Sequence, residues 1–149
     1  MPLGIDLDLN LPRANATVPL VRHILRHTLT EFGVTQECVG DVELAVTEAC
    51  ANVIEHASGD DEYAVRVSVD DVQCQIRVID MGHGFDQLVS ADYPDGDSEH
   101  GRGLLIMRSL MDSMTFESEP EQGTVVHLTK VLAFDVAPLK RARLVPRHD

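Results

Sequence analysis

The sequence predicts an α+β fold, a two-layer sandwich in which helices cover one face of a mainly antiparallel, mixed sheet. Two observations predict it. Apolar residues alternate with polar ones in several short segments, as in strands with one buried face, and recur at helical spacing in three longer segments. These segments follow in the order strand, helix, helix, strand, strand, loop, helix, strand, strand, and this grouping favours helices packed together on one side of the sheet.

The first three predicted elements are a strand and two helices. The strand covers residues 5–11, where isoleucine or leucine occupies every second position. The first helix begins near Pro19, which suits a first turn, and ends near Gly33, which suits a C-terminal cap. The second helix is predicted over residues 41–57, with an apolar stripe formed by Val42, Ala45, Val46, Ala49, Val53 and Ile54.

A hairpin follows the second helix. Valines alternate from Val65 to Val69, Asp70 and Asp71 predict a tight turn, and a second alternation starts at Val72 and continues through Cys74, Ile76 and Val78. The same period places the next acidic side chain, Asp80, on the buried face of the second strand.

The last part of the chain predicts a loop, a helix and a second hairpin. Residues 81–102 show no sustained period and predict a mobile loop. A helix is predicted over residues 104–114, and two strands over 115–118 and 124–132 are joined by a turn at 120–123. Residues 140–147 form a basic tail.

Length and charge restrict the classes of function. The 149 residues suit one domain, 1–149, with a core over about 5–132 and a basic tail over about 138–149. The 25 acidic residues outnumber 12 lysines and arginines, and the net charge of −13 disfavours direct binding of nucleic acid. An anionic ligand such as ATP therefore needs a divalent cation, backbone N–H groups or basic side chains to offset this field.

The cysteines and the hydropathy pattern indicate a protein of the cytoplasm. The three cysteines are odd in number and form no Cys-x-x-Cys pair, so neither a disulfide framework nor a zinc knuckle is indicated. No segment has the pattern of a leader peptide or the length of a membrane span. We therefore expect reduced thiols and a cytoplasmic location.

Three polar residues share one face of the second predicted helix. Glu48, Asn52 and His56 are spaced by four, so they stack along the helix. A solvated helix face would explain them equally well unless other segments converge there. The strand that ends at Asp80 is such a segment. A carboxylate on a buried face needs a hydrogen-bond donor from the backbone, a water or a ligand amine. A turn-capping role for Asp80 would also satisfy this need.

Two glycine-containing motifs follow Asp80. The first is Asp80-x-Gly82-x-Gly84-Phe85, in which glycines allow close approach of a ligand to the backbone. The second is Gly101-Arg102-Gly103 at the start of the third predicted helix, where free N–H groups, the helix dipole and a guanidinium favour phosphate. The sequence lacks the P-loop and Rossmann motifs, so a different nucleotide fold is required.

Together these residues resemble the ordered motifs of the GHKL ATPase family, which includes histidine kinases, DNA gyrase B and MutL. The resemblance covers roughly residues 5–132. Within the family, the chain is similar to the single-domain anti-sigma factor serine kinases of the RsbW type. It implies the GHKL, or Bergerat-type, ATP-binding fold. The matching segments are Glu48-Ala-Cys-Ala-Asn52 with His56, Asp80-x-Gly82-x-Gly84-Phe85, Gly101-Arg102-Gly103 and Gly123-Thr124.

The resemblance implies a catalytic and phosphate-binding set. Asn52 matches the asparagine whose amide oxygen holds Mg²⁺ against the triphosphate, and Glu48 matches the candidate general base. Gly101, Arg102 and Gly103 match the phosphate-binding end of the lid, with Arg102 stabilising charge on the transferred group.

The resemblance also implies a base-binding set. Asp80 matches the aspartate that accepts a hydrogen bond from the adenine amino group. Gly82 and Gly84 shape the pocket beside it, and Thr124 matches a threonine near the adenine. The implied ligands are ATP and Mg²⁺.

The implied function is an anti-sigma regulatory factor that sequesters a sigma factor and phosphorylates a serine or threonine of an anti-anti-sigma antagonist of the STAS type. A homodimer is a further expectation. Two alternatives stay open: a non-catalytic nucleotide-binding module that acts by protein contact, and a histidine-kinase-like ATPase domain that acts in trans. A metal site at His23, His27 and Glu31, which share a face of the first helix, is a weaker hypothesis.

Overall fold

The computed structural model describes residues 4–56, 62–80, 99–119 and 123–135. This part of the chain forms three helices and five strands. In chain order they are β1 (Gly4–Pro12), α1 (Thr17–Glu31), α2 (Gln36–His56), β2 (Glu62–Asp70), β3 (Gln73–Asp80), α3 (Glu99–Leu110), β4 (Ser113–Glu119) and β5 (Gly123–Val131).

The strands form one sheet in the order β1-β2-β3-β5-β4. All four pairings are antiparallel, so no parallel pair occurs among the described strands. The central strand β3 lies between β2 and β5. The predicted α+β class is confirmed.

The core lies between one face of the sheet and the three helices. Helix α2 packs against α1, α3 and β3 and is therefore the central helix. The apolar stripe predicted on it is confirmed, since its first five members are fully buried and Ile54 packs partly buried against the core. The alternating inward side chains of β2, β3 and β5 complete the core: Val65, Val67, Val69, Cys74, Ile76, Val78, Val126 and Leu128.

All three helices begin earlier than the sequence predicted. Helix α3 starts at Glu99, so residues 99–102, which the sequence assigned to the mobile loop, form its first turn. Helix α1 starts at Thr17, two residues before Pro19, so the proline still lies in the first turn. Helix α2 starts at Gln36, because Thr35 Oγ1 accepts the backbone N–H of Cys38 at 3.3 Å and caps its first turn. The predicted role of Gly33 agrees with its φ of 90° after the end of α1.

The predicted end of the third helix was wrong. Helix α3 stops at Leu110, and Met114 belongs to β4. Two contacts explain the early end. Lys130 Nζ donates to the carbonyl of Leu110 at 2.6 Å, and the backbone N–H of Asp112 donates to the carbonyl of Thr129 at 2.8 Å. Because Lys130 also bonds Asp41 of α2 at 3.2 Å, the C-terminal end of α3 is tied to both α2 and β5.

The strand assignment of Val72 was also wrong. Asp70 Oδ1 accepts the N–H groups of Val72 and Gln73, both at 2.8 Å, and this places Val72 in the turn with 58% of its surface exposed. The apolar alternation of β3 therefore begins at Cys74.

The structure describes no helix long and apolar enough to cross a membrane. The three cysteines are buried, and none forms a disulfide. The expectation of free thiols is confirmed.

Candidate functional site

Buried polar side chains are rare in the described part of the chain. Four polar or charged residues there are buried, namely Thr17, Asn52, Asp80 and Thr124, each with 6% or less of its surface exposed. Three of them are residues that the sequence predicted for a site. Burial of polar groups costs free energy unless they are hydrogen-bonded, so each requires a partner in the protein or a ligand.

Helix α2 supplies Asn52 and Glu48 one turn apart. Asn52 is 6% exposed, and its Nδ2 atom is buried with no hydrogen-bond partner among the residues that the structure describes. A solvated helix face, the alternative reading from the sequence, is therefore wrong for Asn52. Glu48 is partly buried, and loss of hydration raises the pKa of its carboxyl above the ordinary value of 4.5.

Gly103 of α3 lies against this pair. A Cβ atom at Gly103 would come within 3.0 Å of Glu48 Oε2 and 3.9 Å of both amide atoms of Asn52. The absence of a side chain thus lets the backbone of α3 approach the Glu48 carboxylate and the Asn52 amide closely. The structure brings together Glu48, Asn52 and Gly103, which are 55 or fewer positions apart in the sequence and lie on two helices.

The sheet supplies the second group of polar residues. Asp80 at the end of β3 is fully buried, as its period predicted, and pairs directly with Thr124 of β5 on one side and Tyr63 of β2 on the other. All three are buried, so a polar row crosses three strands on the face covered by the helices. This row lies at the edge of the sheet where β2 begins, after α2, and where β3 ends, before residues 81–98.

Comparison with known proteins decides the family. Residues 11–130 match the histidine kinase-like ATPase domain. The chain belongs to that family. It is 30% identical to a serine-protein kinase RsbW of Bacillus velezensis over 145 residues, 89% of each chain, and 38% identical to an anti-sigma F factor of Pasteuria penetrans over 66% of this chain and 71% of that protein. Within the histidine kinase-like ATPases it therefore groups with the RsbW-type serine-protein kinases.

A solved structure has the same fold. The crystal structure of the RsbU and RsbW domains of a Mycobacterium tuberculosis protein superposes with a TM-score of 0.67 at 23% identity, over 86% of this chain and 32% of that one. The arrangement of helices on one face of an antiparallel sheet is thus the histidine kinase-like ATPase fold.

Several predicted site residues of this histidine kinase-like domain lie at or beyond the limits of the described part. Gly82 and Gly84 fall in residues 81–98, outside the described residues. The backbone of Gly101 and Arg102 lies in the first turn of α3, and the structure does not describe the side chain of Arg102. The same holds for the side chain of His56 in α2.

The aromatic residue Tyr63 carries a buried hydroxyl that the sequence analysis missed. Its hydroxyl lies 2.6 Å from Thr17 Oγ1, which donates to the carbonyl of Ala14 at 2.7 Å. Because the threonine hydroxyl has one proton, Tyr63 is the donor to Thr17. The thiol of Cys50 is a further partner of Tyr63, and burial raises the pKa of that thiol to about 12.

The position of Tyr63 was available in the sequence. It precedes Val65 by two residues and so continues the buried alternation of β2. The Thr17–Tyr63–Cys50 network joins α1, β2 and α2 beside Asp80, and Cys50 lies between Glu48 and Asn52 on α2. This network holds the central helix of the domain against the sheet at the level of the candidate site.

The described residues contain no cluster of three or more histidine, cysteine, aspartate or glutamate side chains suited to a metal. The hypothesis of a metal site at His23, His27 and Glu31 is therefore not supported. A Mg²⁺ ion in the candidate site would need few protein ligands, which is the usual arrangement when substrate phosphates and waters supply the others.

Proposed function

We propose that the domain binds ATP with Mg²⁺ in the space between α2 and the start of α3. The observation that carries this proposal is the environment of Asn52, whose Nδ2 is buried without a partner in the described chain and whose amide lies with Glu48 against Gly103, where α3 approaches α2 closely. A buried N–H donor without an acceptor destabilises the fold, and a polar ligand that accepts a hydrogen bond from it offsets this cost. The residues present fit the group that the family implies.

Each predicted residue has a role in this proposal. The amide oxygen of Asn52 holds Mg²⁺. The N–H groups at Gly101 and Gly103 and the guanidinium of Arg102 bind phosphate, since the first turn of a helix attracts anions. Bound Mg²⁺ supplies neutralisation of the triphosphate charge.

The base-binding part of the proposal rests on the sheet. Asp80 accepts a hydrogen bond from the exocyclic amine of adenine, and Thr124 lies beside it as its cross-strand neighbour. Gly82 and Gly84, which lie outside the described residues, have the role in this proposal that the resemblance implies, which is to shape the pocket beside Asp80. A carboxylate in this position selects adenine over guanine, because guanine presents a carbonyl oxygen where adenine presents an amine.

Glu48 is the proposed general base. It orients a protein hydroxyl and accepts its proton as the oxygen bonds to the γ-phosphorus of ATP, while the bond from that phosphorus to the oxygen of the leaving ADP breaks. Because burial raises the pKa of this carboxyl, its basicity is closer to the working pH than that of an exposed glutamate, as proton transfer requires. Arg102 stabilises charge on the transferred phosphoryl group.

The proposed substrate is a serine or threonine of an anti-anti-sigma antagonist of the STAS type, and the proposed second partner is a sigma factor. The support comes from the relatives, which are named serine-protein kinases and anti-sigma F factors. We further propose a cytoplasmic location and a homodimer. Analytical ultracentrifugation of the full chain tests the dimer, and a single species at the monomer mass would exclude it.

The decisive experiment separates phosphoryl transfer from binding. Wild type and Glu48→Gln are incubated with labelled ATP and candidate antagonist proteins, and ATP affinity is measured in parallel. We expect unchanged ATP binding and a transfer rate lowered by about 10²- to 10⁴-fold in the variant, the usual effect of removing one general base.

The matched control is Glu37→Gln, which makes the same change in the first turn of α2 at an exposed position. Its transfer rate should equal that of wild type. Wild-type transfer by Glu48→Gln would remove Glu48 from the mechanism. Absence of transfer by wild type to every antagonist, with ATP binding intact, would favour the non-catalytic binding module.

A further inference from the structure

The face of the sheet turned away from the helices carries a row of charged side chains. Asp8 of β1, Arg66 of β2, Arg77 of β3 and His127 of β5 are consecutive cross-strand neighbours at one level of the register. Directly opposite residues on antiparallel strands have Cβ atoms about 4.5–5.5 Å apart. The Cβ atoms of Arg66 and Arg77 are therefore direct neighbours. We name these four residues the charged row.

The positive charge of the row is only partly compensated. Arg66 Nε lies 3.6 Å from Asp8 Oδ1, whereas Arg77 has no ion-pair partner within the described residues. Like charges directly opposite on neighbouring strands are destabilising. A bound anion would remove this repulsion, and guanidinium groups bind carboxylates through two parallel N–H···O bonds.

The surface over the charged row is concave. A shallow depression of about 420 Å³ lies over it, lined by both arginines and His127. Ser68, Gln75 and Thr129 form the adjacent register level and also line the depression. Their hydroxyl and amide groups add hydrogen-bond donors beside the two guanidinium groups.

The charges at the rim decide which anion fits. Asp6 and Asp8 bound the depression at β1, and Glu117 of β4 lies 3.5 Å from His127 at the other edge. These carboxylates and the net charge of −13 repel a long polyanion such as nucleic acid. A short segment with one or two carboxylates carries much less charge than a polyanion and meets correspondingly less repulsion from this rim.

From this arrangement we infer that the charged row docks an acidic segment of a partner protein, with Arg66 and Arg77 bonding its aspartate or glutamate side chains. The site is independent of the proposed nucleotide site. Successive residues of a strand point to opposite faces, so Arg77 lies on the outer face while Val78 and Asp80 lie on the face covered by the helices. Both sites can be occupied together.

The test uses a defined probe and a matched variant. A capped peptide of eight residues with two glutamates, and its twin with two glutamines, are titrated into the isotope-labelled full chain and followed by NMR. The test variant is Arg66→Gln/Arg77→Gln. The control is Arg22→Gln/Arg108→Gln, which removes the same charge from exposed helical positions.

We expect the glutamate peptide to shift amide signals of β2, β3 and β5. Its Kd should weaken by roughly tenfold or more in the test variant, the loss expected when charge-assisted hydrogen bonds are removed, and should stay as in wild type in the control. The glutamine peptide should not bind. ATP affinity should be unchanged in both variants, which shows that they are folded.

Four outcomes would overturn the inference. Failure of the glutamate peptide to shift these signals would remove the docking surface. An equal increase in Kd in both double variants would show that binding depends on the net charge of the protein and not on the two arginines of the charged row. Equally tight binding of inorganic phosphate with the same shifts would indicate a site for small anions. Conversion of a wild-type dimer to a monomer by the test variant would assign this face to contact between two copies of the chain.

Discussion

Replacement of Gly103 by alanine separates the stability of the domain from its activity. Glycine in the interior of a helix costs about 0.5–1 kcal/mol relative to alanine. At a position without contacts, the substitution therefore stabilises the fold. At Gly103, however, the new Cβ would lie 3.0 Å from Glu48 Oε2 and 3.9 Å from the Asn52 amide.

The size of the effect follows from these distances. Comfortable contacts between non-bonded heavy atoms begin at about 3.5 Å, so the Glu48 carboxylate must retreat by about 0.5 Å. A side chain pushed from its rotamer costs about 0.5–1.5 kcal/mol, which offsets the gain in helix propensity. We expect the free energy of unfolding of Gly103→Ala to stay close to that of wild type.

Activity should respond more strongly than stability. A misplacement of 1 Å in a catalytic site lowers the rate by about 10²-fold, so a shift of half that size in the proposed base should lower phosphoryl transfer by about tenfold. The methyl group also occupies space beside Asn52, so ATP affinity should fall. The measurements are urea unfolding, calorimetric titration of Mg-ATP and the rate of transfer at saturating ATP.

Gly40 provides the matched control. It lies inside α2, and a Cβ there would meet no atom within 4 Å. Gly40→Ala should raise the free energy of unfolding by about 0.5–1 kcal/mol with unchanged ATP affinity and transfer rate. If Gly103→Ala stabilises the domain as much as Gly40→Ala and keeps wild-type ATP binding and transfer, the contact of α3 with Glu48 and Asn52 has no role in the site.

Three further predictions concern single residues. Asn52→Ala should abolish Mg-dependent ATP binding, because it removes the amide oxygen proposed to hold Mg²⁺. Urea unfolding should show a stable fold, because the buried Nδ2 that is lost makes no hydrogen bond within the described residues. Asn10→Ala, an exposed change on β1, is the control, and retained affinity in Asn52→Ala would contradict the metal assignment. Asp80→Asn should lose the preference for ATP over GTP in competition binding, and equal binding of both nucleotides by wild type would show that the base does not face Asp80. For Glu48, burial raises the pKa in the folded state, so the folded state holds the carboxyl proton more tightly than the unfolded chain does. The protonated carboxyl therefore contributes its full stabilisation below pH 4.5, and this contribution is lost as the pH rises through the pKa of the folded state. Glu48→Gln should therefore gain stability relative to wild type at pH 7 more than at pH 4, by a small amount because the carboxyl is partly exposed, and a pH-independent difference would argue against burial of this carboxyl.

Period and spacing were sufficient to predict the sheet, the central helix and the inward direction of Asp80. They worked because the two faces of β3 and of α2 differ sharply in polarity. The end of α3 could not be predicted in this way. It depends on Lys130, a residue 20 positions away, whose ammonium group bonds the carbonyl of Leu110. Local pattern carries no information about such a contact.

The candidate site was predictable in part for the same reason. The spacing of Glu48 and Asn52 defines a helical face from sequence alone, and its meeting with Gly103 arises only from the packing of α3 on α2. Tyr63 fits the alternation of β2, yet its bond to Thr17 crosses 46 positions and needs the folded chain to be seen. Pattern shows which way a side chain points, and tertiary packing decides what it meets.

The alternation of β3 affects how this sequence can diverge. Arg77 on one face and Asp80 on the other belong to surfaces that share no side chain, so a substitution at one leaves the chemistry of the other intact. An inserted or deleted residue between Cys74 and Arg77 has the opposite consequence. It would shift the register by one, turn the arginine into the core and bring Val78 and Asp80 to the solvent face. Descendants of this chain can therefore exchange the residues of β3 one by one, whereas the length of the chain can change only outside this strand.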